Sequence, residues 1–241
     1  MLTLDEIHEA LRHLTLDQRS TVENWLDELD RVSIQSQVRE ARPLYFKADA
    51  RFMTLEEFLE LEERSPLRHE FVNGAIFAMN GATVAHQRIV RNLSTAIDTR
   101  LKPGRCEVFS SGLKVVIQRK SNEISYYPDL IVDCRPDTRD TRYLRDPKLI
   151  VEVLSPSTQL IDRREKLQNY RRIDSVEEYV IVTQDIRRVT VYPRVECWRP
   201  RVYWGIDAAV ELRSIDLTIP LAELYRGAED AWQSRSARSE Q

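Results

Sequence analysis

Apolar positions at the start of the chain follow a helical rhythm. Leu4, Ile7, Leu11 and Leu14 share one face, and Val22, Trp25, Leu26, Leu29 and Val32 share another. Thr3 with Glu6, and Thr15 with Gln18, read as capping boxes, so the pattern predicts two short amphipathic helices. Ser33 to Ala50 has no clear period and reads as a linker. Thr54 with Glu57 opens a further helix, "TLEEFLELEE", which must stop before Pro66. From His69 the texture turns to strands. Asn73-Gly74 lies between two β-rich runs and predicts a hairpin. Ile89, Leu93, Ala96, Ile97 and Leu101 define a helix between His86 and Leu101, closed by Lys102-Pro103-Gly104. The runs "CEVFS", "LKVVIQ", "DLIVDC" and "LIVEVL" follow as strands, then a helix from about Asp162 to Ile173, then the strands "EYVIVT" and "RVTVY". "VYWGI" and "AVELRSI" look strand-like in the tail, ahead of "PLAELY".

This order predicts an α/β fold, a central mixed β-sheet flanked by helices and preceded by an amino-terminal helical extension. The expected boundaries are an extension and linker over 1–50, a main domain over 51–228, and a disordered polar tail over 229–241. Composition narrows the function. The chain has 241 residues, 42% hydrophobic, with a formal net charge of -3, so any polyanion site must be a local patch. Cys106, Cys134 and Cys197 are odd in number, widely spaced and form no CxxC pair. That pattern argues against a disulfide framework and for a reducing, cytoplasmic setting. His8, His13, His69 and His86 form no HExxH and adjoin no cysteine, which argues against zinc. No apolar run approaches the roughly 20 residues that span a bilayer. None of the six glycines forms a nucleotide-binding loop, and no nucleotide cofactor is expected.

Within "KLIVEVLSPST", Glu152 interrupts the run Leu149, Ile150, Val151, Val153, Leu154, which otherwise reads as a strand buried on both faces. A buried carboxylate must either be neutralised by protonation or meet a cation. Asp129, after Pro128 in "YYPDLIVDC", stands at the mouth of another apolar run, and Glu70 in "RHEFVNG" opens the hairpin strand. If these strands are neighbours, the acids converge, and oxygen-only ligands favour a hard ion such as Mg²⁺ or Mn²⁺. Arg163, Lys166 and Tyr170 share one face of the helix after Glu152, and Lys166 can look back at the sheet. Each residue also has a structural reading. Glu152 can pair with a buried cation, Asp129 can serve a turn, and Glu70 can be an edge-strand charge. Lys166 can pair with Asp162, His86 can be a polar residue at a helix start, and Tyr170 can be core.

Taken together, "HEFVNGAIFAMN", "HQRIVRNL", "YYPDLIVDC" and "PKLIVEVLSPSTQLIDRREKLQNYRRIDSVEEYVIVTQDIRRVTVY" resemble the Uma-two family of restriction-endonuclease-like proteins, within the PD-(D/E)XK nuclease superfamily, from about Thr54 to Tyr225. The resemblance implies that Asp129 and Glu152 are metal ligands, joined by the carbonyl of Val153 and by Glu70 as an additional acid. The superfamily lysine is expected two positions after the second acid, where Leu154 stands here. Lys166 from the following helix is its expected replacement, with Lys114 in "GLKVVIQ" as the alternative. The implied function is a Mg²⁺-dependent endonuclease acting on DNA, Mn²⁺ serving as a possible substitute, with products carrying a 5′-phosphate and a 3′-hydroxyl. Arg163, Arg164, Arg171 and Arg172 would contact backbone phosphates, and cutting both strands implies a homodimer. The contrasting class is a catalytically inactive nuclease-fold DNA-binding or adaptor protein.

Overall fold

The computed structural model describes residues 53–79, 81–102, 104–119, 122–135, 142–154 and 165–228. The expected amino-terminal helices and linker, the 229–241 tail, and Arg163 and Arg164 lie outside the described residues. The first described element, α1 (Leu55–Arg64), begins as the sequence requires. Thr54 caps it with a full capping box to Glu57, and it ends at Ser65, before Pro66. β1 (His69–Val72) and β2 (Ala75–Ala78) form the hairpin, whose turn residues Asn73 and Gly74 take φ values of 48° and 92°. Two consecutive positive φ values are what a tight two-residue hairpin turn demands. α2 (Val84–Asp98) follows, capped by Thr83, with Ile89, Leu93, Ala96 and Ile97 on its buried face.

β3 (Glu107–Ser110), β4 (Lys114–Arg119), β5 (Asn122–Tyr126), β6 (Leu130–Asp133), β7 (Tyr143–Leu144), β8 (Leu149–Leu154), the short helix α3 (Leu167–Tyr170), β9 (Glu178–Thr183) and β10 (Arg188–Pro193) complete the core. The chain then adds β11 (Arg201–Trp204), β12 (Ala209–Leu212), β13 (Leu217–Pro220) and α4 (Leu221–Leu224). The larger sheet is six-stranded, in the order β11-β10-β9-β8-β6-β3, and is mixed: β8 and β9 run parallel, whereas β6 and β8 run antiparallel. A second sheet, β2-β1-β5-β4-β7, packs against it, and a small ribbon joins β12 to β13. The second sheet rests partly on β5 and β7, which the hydrophobic pattern does not single out.

Side-chain alternation along the strands sorts the core into layers. On β8, Leu149, Val151 and Val153 pack with α2 and α4, while Ile150 and Leu154 point to the other side. There they meet Val115, Ile117, Ile124 and Tyr126 of the second sheet, along with Tyr170, Tyr179 and Ile181. α1 covers the outer face of the second sheet through Leu55 and Phe58, packed on Phe71 and Val116. Glu152 shares the parity of Ile150 and Leu154 and therefore enters the layer between the sheets.

The cysteine expectation is corrected. Cys106 and Cys134 form a disulfide, with Cα atoms 3.9 Å apart, and Cys197 is a free, exposed thiol. β3 and β6 pair antiparallel with Glu107 opposite Asp133, which brings the flanking cysteines together. Spacing in the sequence carries no trace of that pairing, so the cysteine pattern gives no ground for a reducing compartment. Among the described residues no helix is long and apolar enough to cross a membrane.

Candidate metal centre

The site starts from strand register. β6 and β8 pair with Leu130 opposite Val151 as the last rung, and Asp129 and Glu152 are the next residues along the two segments. Glu152 enters the layer between the sheets, whereas Asp129, just before β6, reaches the backbone of β8 and the start of α2. Pro128 has no N–H to extend the ladder. The Asp129 side chain takes over there: its Oδ2 accepts the Val153 amide at 2.7 Å. The same oxygen lies 3.1 Å from His86 Nε2. His86 is held for this contact by the start of α2, where Thr83 Oγ1 accepts the His86 amide at 3.1 Å and donates to Gln184 Oε1 at 2.6 Å.

Glu152 is buried, and its cation comes from the crossover. A parallel strand pair needs a connection that passes over a sheet face, and the one from β8 to β9 carries Glu165 to Tyr170 across the face Glu152 occupies. Glu165 and Lys166 form a wider π-type turn that runs into α3. Lys166 Nζ lies 3.2 Å from Glu152 Oε1 and 2.8 Å from Glu70 Oε1. Tyr170, one helical turn on, donates its hydroxyl to the same Glu152 oxygen at 3.0 Å. Tyr126 walls the cluster: the Lys166 ammonium sits 5.3 Å from its ring centroid, and its hydroxyl donates to Glu165 Oε1 at 2.7 Å while accepting from Asn169 at 2.7 Å. Burial first, and then the neighbouring carboxylate, pushes the Tyr170 and Tyr126 phenols well above their ordinary pKa, so both remain protonated donors.

Glu70, Glu152 and Lys166 are therefore brought together, and Asp129 reaches the Val153 amide, one residue after Glu152. Lys114 goes elsewhere. Val115 and Ile117 face the layer between the sheets and Val116 faces α1, so alternation turns Lys114 outward. Its ammonium lies 3.3 Å from the Tyr127 hydroxyl. Arg171 and Arg172 flank α3: Arg171 stacks on Trp198 at 5.7 Å, and Arg172 reaches Asn169. The hydroxyl of Tyr170 and the imidazole of His86 are contributions that a pattern reading treats as core and helix cap. The only signal for Tyr170 was its spacing of four from Lys166, which places both on one helical face.

The donor set suits a hard dication. The Lys166 ammonium is shared by Glu70 and Glu152, while Asp129 is held by the Val153 amide and His86. Among the described residues no group of three or more His, Cys, Asp or Glu side chains is placed to hold a metal ion. Asp129 and Glu152 offer oxygen donors only. Mg²⁺ is commonly held in this way, by one or two carboxylates with water and substrate phosphate completing the octahedron.

A mixed sheet flanked by helices, with acids at the ends of an antiparallel pair and a lysine on the crossover, is a nuclease-like α/β fold. The chain belongs to the Uma2 family, described as "Putative restriction endonuclease", whose profile matches residues 55–224. It is 35% identical over 175 residues to the uncharacterized protein slr1290 of Synechocystis sp., a match covering 71% of this chain and 90% of that protein. It is 32% identical over 169 residues to a second Synechocystis protein, the uncharacterized sll1609, covering 68% of this chain and 94% of that one. Its fold is similar to the crystal structure of a "putative nuclease belonging to DUF820" from Anabaena variabilis, with a TM-score of 0.60 and 21% identity over 72% of this chain and 97% of the other.

Proposed function

We propose that the protein is a divalent-cation-dependent endonuclease that hydrolyses DNA phosphodiester bonds. The carrying observation is Asp129 held at the end of β8 by the Val153 amide at 2.7 Å, with the buried Lys166 ammonium 3.2 Å from Glu152 on the same strand. The cation is Mg²⁺, with Mn²⁺ able to replace it, held by Asp129, Glu152 and the carbonyl of Val153, with Glu70 beside them. When bound, it supplies the positive charge that stabilises negative charge building on the phosphoryl oxygens. This chain's own residues do the rest. The Val153 amide and His86 hold Asp129 in one orientation, and Tyr170 holds Glu152. Lys166 orients the attacking water and offsets part of the charge in the transition state.

The nuclease domain spans 51–228, and the segment 1–50 serves homodimer formation, which supplies the second site needed to cut both strands. Arg171 and Arg172, with Arg163 and Arg164, contact backbone phosphates, and the work is done in the cytoplasm, where the DNA is. A second reading has its own support. Lys166 already neutralises Glu70 and Glu152 in part, so the buried acids are tolerable without turnover, as in an inactive nuclease-fold DNA-binding adaptor.

Supercoiled plasmid incubated with Mg²⁺, Mn²⁺ or EDTA separates the two. The nuclease reading expects nicking by wild type that chelator suppresses and Asp129→Asn lacks. Equal cleavage by both proteins refutes it, and DNA binding without cleavage under either cation supports the adaptor.

A further inference from the structure

Beyond the acids, the surface carries a polar groove with an unusual charge balance. One cavity, about 590 Å³, is lined by Arg68, Ser110, Ser111, Gly112 and the apolar residues beneath them. A second, about 250 Å³, is lined by Gln87, Arg91, Ser94 and Thr95 of α2 and again by Ser110 and Ser111. The two cavities thus meet on the loop after β3. Neither has an acidic residue in its lining, although the chain as a whole carries a formal net charge of -3.

The loop is shaped for this role. Ser111 and Gly112 both have positive φ, 46° and 134°, and a Cβ at Gly112 would come within 2.9 Å of the Arg68 guanidinium. Glycine is therefore what lets Arg68 lie flat against the backbone. Arg68 also packs over the Tyr127 ring at 5.6 Å, and Lys114 approaches the same ring at 5.2 Å. Two cations gathered on one phenol repel each other, and burial together with Arg68 lowers the Lys114 pKa, opposed by Glu62. Glu62 is itself engaged by the amide and ring of His69. At the other end, the exposed Arg91 donates to the side-chain oxygen of Asn92 at 3.2 Å. Positive charge lining cavities that hold no acidic residue is the complement of a row of phosphates. The groove also adjoins the acids, because the Ser111 amide donates to the Asp129 carbonyl at 3.2 Å.

We propose that the groove from Arg68 across the Ser110–Gly112 loop to Arg91 is the track that seats the sugar-phosphate backbone of the nucleic acid beside Asp129. The guanidiniums, loop amides and serine hydroxyls grip phosphates and fix position without reading sequence. This rests on the nuclease reading but assigns the substrate path to residues other than Arg171 and Arg172.

The test is fluorescence anisotropy of a labelled 20-base-pair duplex, with Ca²⁺ replacing Mg²⁺ and KCl varied. Loss of one phosphate contact reduces the salt slope by about 1 and weakens binding on the order of ten-fold at 0.1 M salt, alike for all sequences. Arg91→Ala and Arg68→Ala are each expected to do this, and Arg91→Lys to recover most of the loss. Arg91 is exposed on α2, so its variants keep the test open if Arg68→Ala misfolds. Arg119→Ala, which removes an exposed arginine paired with Asp174, should change affinity less than about two-fold. Unchanged affinity and slope in the Arg91 and Arg68 variants, with wild type still binding and cutting DNA, would overturn the track and leave the nuclease reading standing. A wild type that neither binds nor cuts DNA would overturn both.

Discussion

Lys166→Met tests the centre most directly, because it keeps the aliphatic stem and deletes only the ammonium. In wild type that ammonium is 6% exposed and lies 2.8 Å from Glu70 and 3.2 Å from Glu152. At an effective dielectric near 20, each attraction at about 3 Å is worth on the order of 5 kcal/mol before desolvation is counted. Removing the cation takes its charge away from two carboxylates in a low-dielectric layer, a change that typically costs about 3–5 kcal/mol net. For a domain of this size that is a fall in Tm of roughly 6–20 °C. Glu152→Gln in the same chain removes one of those negative charges, so the double variant should be more stable than the sum of the single changes by about 1–3 kcal/mol. Adding Mg²⁺ should raise the Tm of Lys166→Met more than that of wild type, since a dication there replaces the charge of the deleted ammonium. Thermal melts of the four proteins, with and without Mg²⁺, read all of this. A loss below about 1 kcal/mol for Lys166→Met, or strict additivity in the double variant, would refute the buried charge cluster.

Tyr170→Phe deletes the 3.0 Å hydrogen bond to Glu152 and should cost about 1.5–3 kcal/mol in urea denaturation, with the change confined to the midpoint and not the slope. Alkaline pH should also weaken the fold. Burial, with Glu62 second, pushes the Tyr127 phenol up to about 12, and the Tyr126, Tyr170 and Tyr225 phenols are likewise raised. A raised folded pKa contributes stability that is complete below the unfolded value near 10 and is lost as pH climbs through the folded value. Melts between pH 9 and 12 should therefore show a progressive fall, and Tyr127→Phe should lessen it. Finally, Cys106→Ser opens a bridge spanning 28 residues and should cost about 2–4 kcal/mol in oxidising buffer, with a reductant bringing wild type down to the variant. Equal stability of the two proteins without reductant would count against the clip.

Several parts of this protein could be read from its residues. Local interactions are encoded where they act: the capping box at Thr54, the Asn73-Gly74 turn and the apolar face of α2 each appear in the structure where the pattern puts them. Glu152 betrayed itself because a charge inside an apolar strand has to be compensated, and that need does not depend on topology. Lys166 could be singled out by helical spacing, although the pattern alone left Lys114 as a rival.

Pairing between distant segments was decided only by the folded chain. Register, not composition, sets Leu130 opposite Val151 and so brings Asp129 to the Val153 amide, and a slip of one residue would undo that contact. The same ladder logic joins Cys106 to Cys134, which looked unrelated in sequence, and alternation on β4 sends Lys114 away from the acids. The second sheet, the crossover that lays Lys166 and Tyr170 over Glu152, and the meeting of Arg68 with the Ser110–Gly112 loop arise from contacts between residues far apart along the chain. Short-range periodicity reports which face of an element is apolar. Which elements become neighbours depends on how all those faces are buried at once.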